Sequence, residues 1–494
     1  MTRTYVTTTI PFVNARPHLG FALELVQADV LARHRRHRGD EVRFLTGTDE
    51  NSLKNVLAAE AEGIPVQQLV DRNAAAFEGL RTPLDLSFDD FIRTSSDPRH
   101  RTGVEQLWQR CAAAGDLYLK HYEGLYCVGC EQFYQPEDLA DGRCPDHGTE
   151  PQLVAEENWF FRLSRYAEPL RELITSGRIR IEPASRRNEV LALIEGGLHD
   201  FSVSRSQRRA RGWGIPVPGD PDQVVYVWWD ALGNYVSSLG YGTDSPDLEH
   251  WWQESDRRIH LLGKGVVRFH AVYWPATLLS AGLALPTEIL VHDYLTVDGR
   301  KISKSAGTTI DPAELVAEVG TDAVRWWLLR DVPRIGDADF TRERLIARSN
   351  ADLAGGLGNL VNRVVSLIHR YCDGRVPAAT VPDPQAGELQ YAVSNAPARI
   401  DEALANYDFR QAAHALWEIV ESANRYIETT TPWQLARSQD PLLHTVLGNL
   451  HHACLQLATE LSPFLPSAAA RITAQCTPVE GKLPPATPLF PRLT

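Results

Sequence analysis

The sequence predicts an α/β protein: a parallel sheet split by an insertion and followed by an α-helical bundle. Three observations carry this. The N-terminus alternates a β-branched run, a helix-period run and a second apolar run; a cysteine–histidine cluster then interrupts the pattern; and the C-terminal stretch is helix-periodic.

The elements follow in order. TYVTTTI (4–10) is β-branched without breakers and predicts a strand. Residues 22–38 predict a helix with Ala22, Leu23, Val26, Val30 and Leu31 near one face, stopped by Gly39. EVRFLTG (41–47) is the next strand, so the chain opens with a βαβ unit, and such units build parallel sheets with right-handed crossovers. Residues 116–215 hold the cysteine cluster and short strand-like pieces, as an insertion would. VVYVWWDAL (224–232), RIHLLGK (258–264) and TEILVHDYL (287–295) predict strands or strand ends, with a helix over FHAVYWPATLLSAG (269–282). Beyond about residue 326 the period is helical, with Ala412, Leu416, Ile419, Val420, Ala423 and Ile427 on one face of 408–428 and a second such run over 441–465. The Pro- and Gly-rich 372–388 predicts a long connection. The expected domains are 1–115, the insertion 116–215, 216–325 and 326–494.

The chain has 494 residues, 43% hydrophobic and 23% charged, an ordinary globular composition. A net charge of −13 excludes a uniformly basic coat; RHRRHR (33–38) and RSQRRAR (205–211) are either local nucleic-acid faces or solvated surface. No apolar run reaches the roughly 18 residues a membrane span needs. MTRTYVTTTIPF lacks the basic and apolar regions of a signal peptide, so a cytoplasmic location is expected. Of seven cysteines, Cys111, Cys372, Cys454 and Cys476 are scattered and the others cluster with a histidine. That pattern favours a metal site plus buried thiols over disulfides. Met1 is the single methionine.

Three motifs bear chemistry. In PFVNARPHLGF (11–21), a strand leads into a helix N-terminus, which suits phosphate; Gly20 permits close approach and His18 can donate to a phosphate oxygen. In RKISKSAGTTI (300–310), Lys301 and Lys304 can both reach a polyphosphate, although an exposed lysine pair reads the same way. CVGC (127–130) and CPDH (144–147) bring Cys127, Cys130, Cys144 and His147 to the spacing of a closed, structural zinc site.

PFVNARPHLGF, RFLTGTDEN, VYVWWDALGNY, RFHAVYWPA, LTVDGRKISKSAGTTIDP and GNLVNR occur in that order between about residues 5 and 465. Together they resemble methionyl-tRNA synthetases, a family of class I aminoacyl-tRNA synthetases. The resemblance implies a Rossmann-type sheet split by a zinc-knuckle insertion, and a helical anticodon-binding domain. It implies a methionine–tRNA ligase using ATP, Mg2+ and one structural Zn2+, with methionine and tRNA(Met) as partners and no membrane. It assigns catalysis to His18, Lys301 and Lys304, and ATP binding to these with Gly20, Phe21, Ser303 and Ser305. Methionine binding falls to Ile10, Phe12, Asp49, Trp228, Tyr235, His270 and Trp274, an aromatic pocket suited to a thioether. Asn359, Arg363 and Trp433 match anticodon-reading positions. A monomer is expected, because the chain ends soon after the helical stretch, without the appended OB domain that makes some relatives dimeric.

Departures cluster at these positions. Phe21 replaces the second histidine of the HIGH-type motif, Asn51-Ser52 the usual His-Gly, Gly265 an aspartate, Phe12 a tyrosine, Asp293 a glycine and Ile302 the methionine of the KMSKS-type loop. They leave two alternatives open: a related activating enzyme of altered specificity, or a non-catalytic tRNA-binding paralogue. With the missing methionines they fit a divergent second copy; composition drift is the plainer account.

Overall fold

The computed structural model describes residues 2–129, 132–134, 136–145, 148–297, 299–302 and 309–494. The β-branched N-terminal run forms the strand Arg3–Thr7 inside a six-stranded sheet. Its order is Asp90–Arg93, Glu41–Thr48, Arg3–Thr7, Arg257–Gly263, Glu288–His292 and Arg180–Glu182, all parallel. Val6 pairs with Phe44 on one side and Ile259 on the other. Consecutive residues such as Leu261 and Leu262 are both fully buried, as expected where a parallel sheet is covered on both faces.

The chain divides into two compact units: Met1–Pro17, Arg38–Leu80 and Ser87–His292; and His18–His37, Arg81–Leu86 and Asp293–Thr494. The first contains the parallel sheet. The stretch expected as an insertion adds an antiparallel sheet ordered Gln132–Tyr134, Leu117–Cys127, Gln152–Phe161 and Phe201–Ser202. It also returns Arg180–Glu182 to the edge of the parallel sheet, beside Glu288–His292. That strand is three residues long, too short for any periodicity to announce it.

One expected strand is corrected. Over 224–232 the strand ends at Val225, and Val227–Ser237 is a helix. The run of Val, Tyr and Trp has strand propensity, but burial overrides it: Val227, Trp229 and Asp230 are all buried, and Asp230 is hydrogen-bonded to the buried His100.

In the second unit, the helix Leu19–His37 accompanies Thr321–Arg330, Asn359–Cys372, Gly387–Ala405, Phe409–Thr430, Leu442–Leu461 and Pro466–Cys476, as the helical period predicts. Arg325, fully buried, binds Asp29 at 2.8 Å and the carbonyls of Phe464 (2.8 Å), Leu84 (2.9 Å) and Pro463 (3.1 Å). At the start of the tract 33–38, two side chains are taken up by contacts inside this unit. Arg33 reaches Asp29 at 2.9 Å, and His34 Nε2 meets Asp401 at 2.8 Å. In RSQRRAR, Arg205 is buried and Arg209 lies 3.9 Å from the Tyr126 ring centroid, while Arg211 pairs with Glu60. Among the described residues, no helix is long and apolar enough to cross a membrane.

Candidate active site

In the second unit, His18 stands just before the helix Leu19–His37. The Gly20 backbone N–H donates to its Nδ1 at 3.1 Å, so the neutral ring carries its proton on Nε2. A Cβ at Gly20 would lie 3.0 Å from His18 Cε1, so glycine lets the imidazole fold back on the first turn. Phe21 is 7% exposed, a buried side chain where the family places a polar one.

The Leu19 N–H donates to the Ile310 carbonyl at 3.0 Å, tying the PHLG turn to the far end of the RKISKSAGTTI segment. Lys301 ends the strand Arg300–Lys301, antiparallel to Leu295–Val297, and Ile302 is buried. Ser303, Lys304 and Ser305 lie outside the described residues. The hairpin is anchored by Asp339, which accepts from Thr296 Oγ1 (2.7 Å) and the Gly299 N–H (2.8 Å). These bonds, the Gly299 one foremost, hold its carboxyl below the usual range. The unusual Asp293 accepts the Gly336 N–H at 2.7 Å.

The residues expected to bind methionine gather in the first unit. Phe12 and Asp49 form a parallel β-bridge, with the Asp49 N–H on the Pro11 carbonyl at 2.9 Å, and both Asp49 and Ile10 are buried. Trp228 stacks on Phe269 with centroids 3.8 Å apart and meets Phe12 edge-on at 6.1 Å. Val266 accepts from His270 Nδ1 at 3.0 Å, which leaves Nε2 to accept the Tyr235 hydroxyl at 2.8 Å. Trp274 is fully buried, 5.9 Å from Tyr235. The Asn51 amide bridges the Thr94 carbonyl (3.2 Å) and Asp230 (2.7 Å) on the helix that carries Trp228 and Tyr235.

Sequence reading passed over Phe269 and His260. Phe269 is adjacent to His270 in the quoted RFHAVYWPA. His260 had one signal, a polar residue inside the apolar run RIHLLGK.

Cys127 and Cys144 are each 1% exposed and pack together with Tyr134. Cys130 and His147 lie outside the described residues, among which no group of three or more metal-ligating side chains is gathered. Asn359 and Arg363 stand one helical turn apart on Asn359–Cys372, and Arg363 reaches Asn424 Oδ1 at 3.5 Å. Trp433, half-buried, lies in the first turn of Pro432–Ser438.

Against known proteins, the family described as tRNA synthetases class I (M) matches residues 4–151 and 129–365. The chain belongs to this methionyl class I synthetase family. The anticodon-binding domain of tRNA ligases matches 391–482. A methionine–tRNA ligase of Caldanaerobacter subterraneus is 40% identical over 95% of the chain and 73% of its own length. That of Brucella suis is 39% identical over 99% of the chain and 97% of its own. Mycobacterium tuberculosis methionyl-tRNA synthetase, solved with methionyl-adenylate, superposes with a TM-score of 0.93 at 38% identity over all of both chains. For a methionyl synthetase the α/β sheet, the helical C-terminal region and the two signature motifs are all in the expected sequence order.

Proposed function

We propose that the enzyme is a methionine–tRNA ligase, working as a cytoplasmic monomer, that activates methionine with ATP and passes it to the 3′ end of tRNA(Met). The observation that carries the reading is the Leu19–Ile310 hydrogen bond, which joins the PHLG turn to the KISKS segment. In the first step a methionine carboxylate oxygen attacks the α-phosphorus of ATP, and the bond to the bridging oxygen of pyrophosphate breaks. In the second, the terminal ribose hydroxyl of tRNA attacks the adenylate carbonyl carbon, and AMP leaves. No enzyme nucleophile is required; catalysis is positioning and charge stabilisation.

Magnesium, when bound, would offset charge on the ATP phosphates. His18 Nε2–H donates to the ATP phosphates, which sit against the positive end of the helix whose first turn holds Gly20 and Phe21. Lys301 and Lys304, with Ser303 and Ser305, close over the departing pyrophosphate. Asp49 holds the substrate ammonium. Ile10, Phe12, Trp228, Tyr235, His270 and Trp274 enclose the thioether, with the Tyr235–His270 pair as its polar contact. Asn359, Arg363 and Trp433 read unpaired anticodon bases by edge contacts and stacking. A second reading, activation of a methionine analogue, draws on Phe12, which brings no hydroxyl to the pocket and has Lys54 Nζ 4.9 Å from its ring centroid.

Methionine-dependent ATP–pyrophosphate exchange followed by tRNA charging tests the assignment; exchange with a different amino acid alone would favour the second reading. Phe21→His is expected to raise the exchange kcat at saturating ATP by up to about a hundredfold, by restoring a donor to the transition state. An unchanged kcat would mean the phosphate contacts are already complete.

The paired burial of Cys127 and Cys144 fits thiolate ligands, and we assign one structural zinc to Cys127, Cys130, Cys144 and His147. The ion would cross-link the knuckle and take no part in the reaction. Elemental analysis should find about one zinc per chain, lost in Cys127→Ser together with a fall in Tm. Zinc-free protein of normal Tm would remove the assignment.

A further inference from the structure

We propose that His260 is a positioning residue for the methionine pocket, a neutral imidazole whose two nitrogens and one face set the orientations of Trp274 and Tyr235. The inference rests on the reading of those two residues as pocket walls.

His260 lies in the strand Arg257–Gly263 and is fully buried. Trp274 Nε1 is 3.2 Å from its Nε2. An indole N–H can only donate, so Nε2 is the acceptor and the ring proton sits on Nδ1. That proton points at Thr7 Oγ1, 2.6 Å away. A charged ring would set two donors against each other at Trp274. Burial, then the neighbouring His270 and Arg258, hold its pKa well below the ordinary histidine value.

The ring also lies 4.2 Å from the Tyr235 centroid at 31°. Its edge thus fixes the indole and its face backs the tyrosine whose hydroxyl meets His270. A leucine at this place would fill the space with less desolvation; what the imidazole adds is two directed bonds. The two histidines therefore divide the work. His270 fixes the Tyr235 hydroxyl from the side, and His260, one layer back, fixes the Trp274 indole and backs the Tyr235 ring.

The test compares His260→Gln, which can still accept from Trp274 and donate to Thr7, with His260→Phe, which keeps a ring but neither bond. In pyrophosphate exchange, His260→Phe should raise the methionine KM about tenfold, leave the ATP KM unchanged and cut the kcat/KM preference for methionine over norleucine about tenfold. His260→Gln should recover most of the loss. A variant with lower Tm but unchanged methionine KM and preference would show a purely structural histidine and overturn the proposal. Should His260→Phe not fold, Thr7→Val, which removes the Nδ1 partner and a long 3.4 Å bond to the Ile259 carbonyl, should still raise the methionine KM, and no rise there is equally fatal. Trp274→Ala separates the two levels of argument. If it leaves the methionine KM unaltered, the pocket reading itself is wrong; if it raises KM while His260→Phe does not, only the role of His260 falls.

Discussion

Replacing His18 by alanine should lower the kcat of methionine-dependent pyrophosphate exchange by about a hundred- to a thousandfold, with the fold intact. The Gly20 N–H occupies Nδ1, so the proton of the neutral imidazole sits on Nε2, the donor proposed to meet the phosphates. That donor is preorganised, which is where transition-state stabilisation comes from; a solvent-mobile donor would have to reorient as charge develops on the phosphates. The ATP KM should move much less, because the positive end of the helix dipole remains. His18→Gln, whose amide can place an N–H near the same point, should recover part of the rate. Phe21 makes the loss larger than in an enzyme with two polar residues at the turn, since no second side-chain donor is present to share the load. A fall of less than about tenfold would place His18 away from the reacting phosphates.

The largest effect on stability is expected at Arg325. Arg325→Ala should cost about 3–5 kcal/mol, read by denaturant unfolding, because it strips a buried carboxylate of its fully buried guanidinium, leaving it to lean on the partly exposed Arg33, and takes a charged donor from three carbonyls. Asp29 is fully buried, and the carbonyls of Phe464, Leu84 and Pro463 lose their donor together. By contrast the exposed pair Arg171–Glu168 is screened by water, and Arg171→Ala should be nearly silent. Asp29→Asn combined with Arg325→Met should destabilise less than Arg325→Ala alone, since the buried negative charge goes with its buried partner and the methionine fills the space. Equal losses in the two would mean that the carbonyl contacts, and not the ion pair, dominate.

Much of the architecture was legible because local period and burial agree. The βαβ opening, the strands around 258–264 and 287–295, and the helices over 408–428 and 441–465 all have apolar patterns matching the structure. The failures have physical causes. Arg180–Glu182 is a strand only because Glu288–His292 offers it an edge, a long-range fact that three residues cannot encode. Val227–Ser237 is helical against its local preference because its neighbours bury it. The basic tract 33–38 looked like a surface because sequence shows charges and not their partners; Asp401 lies hundreds of residues from His34. At the candidate site, the motifs named the atoms that would touch substrate. They could not name His260, whose role depends on Thr7 and Trp274 arriving from two other elements.

The second unit is assembled from three separated stretches of chain, and one of them, His18–His37, begins with the nucleotide turn. The helical region is therefore not a cassette. A fragment beginning at Asp293 would carry Arg325 without Asp29, and the donor fork of that arginine would have lost its only carboxylate among these contacts. Any recombinant that exchanges the helices of this unit with those of another synthetase keeps the Arg325–Asp29 pair only if residues 18–37 travel with them. The helical region and the PHLG turn thus form one block, although strands of the parallel sheet flank that turn in the chain.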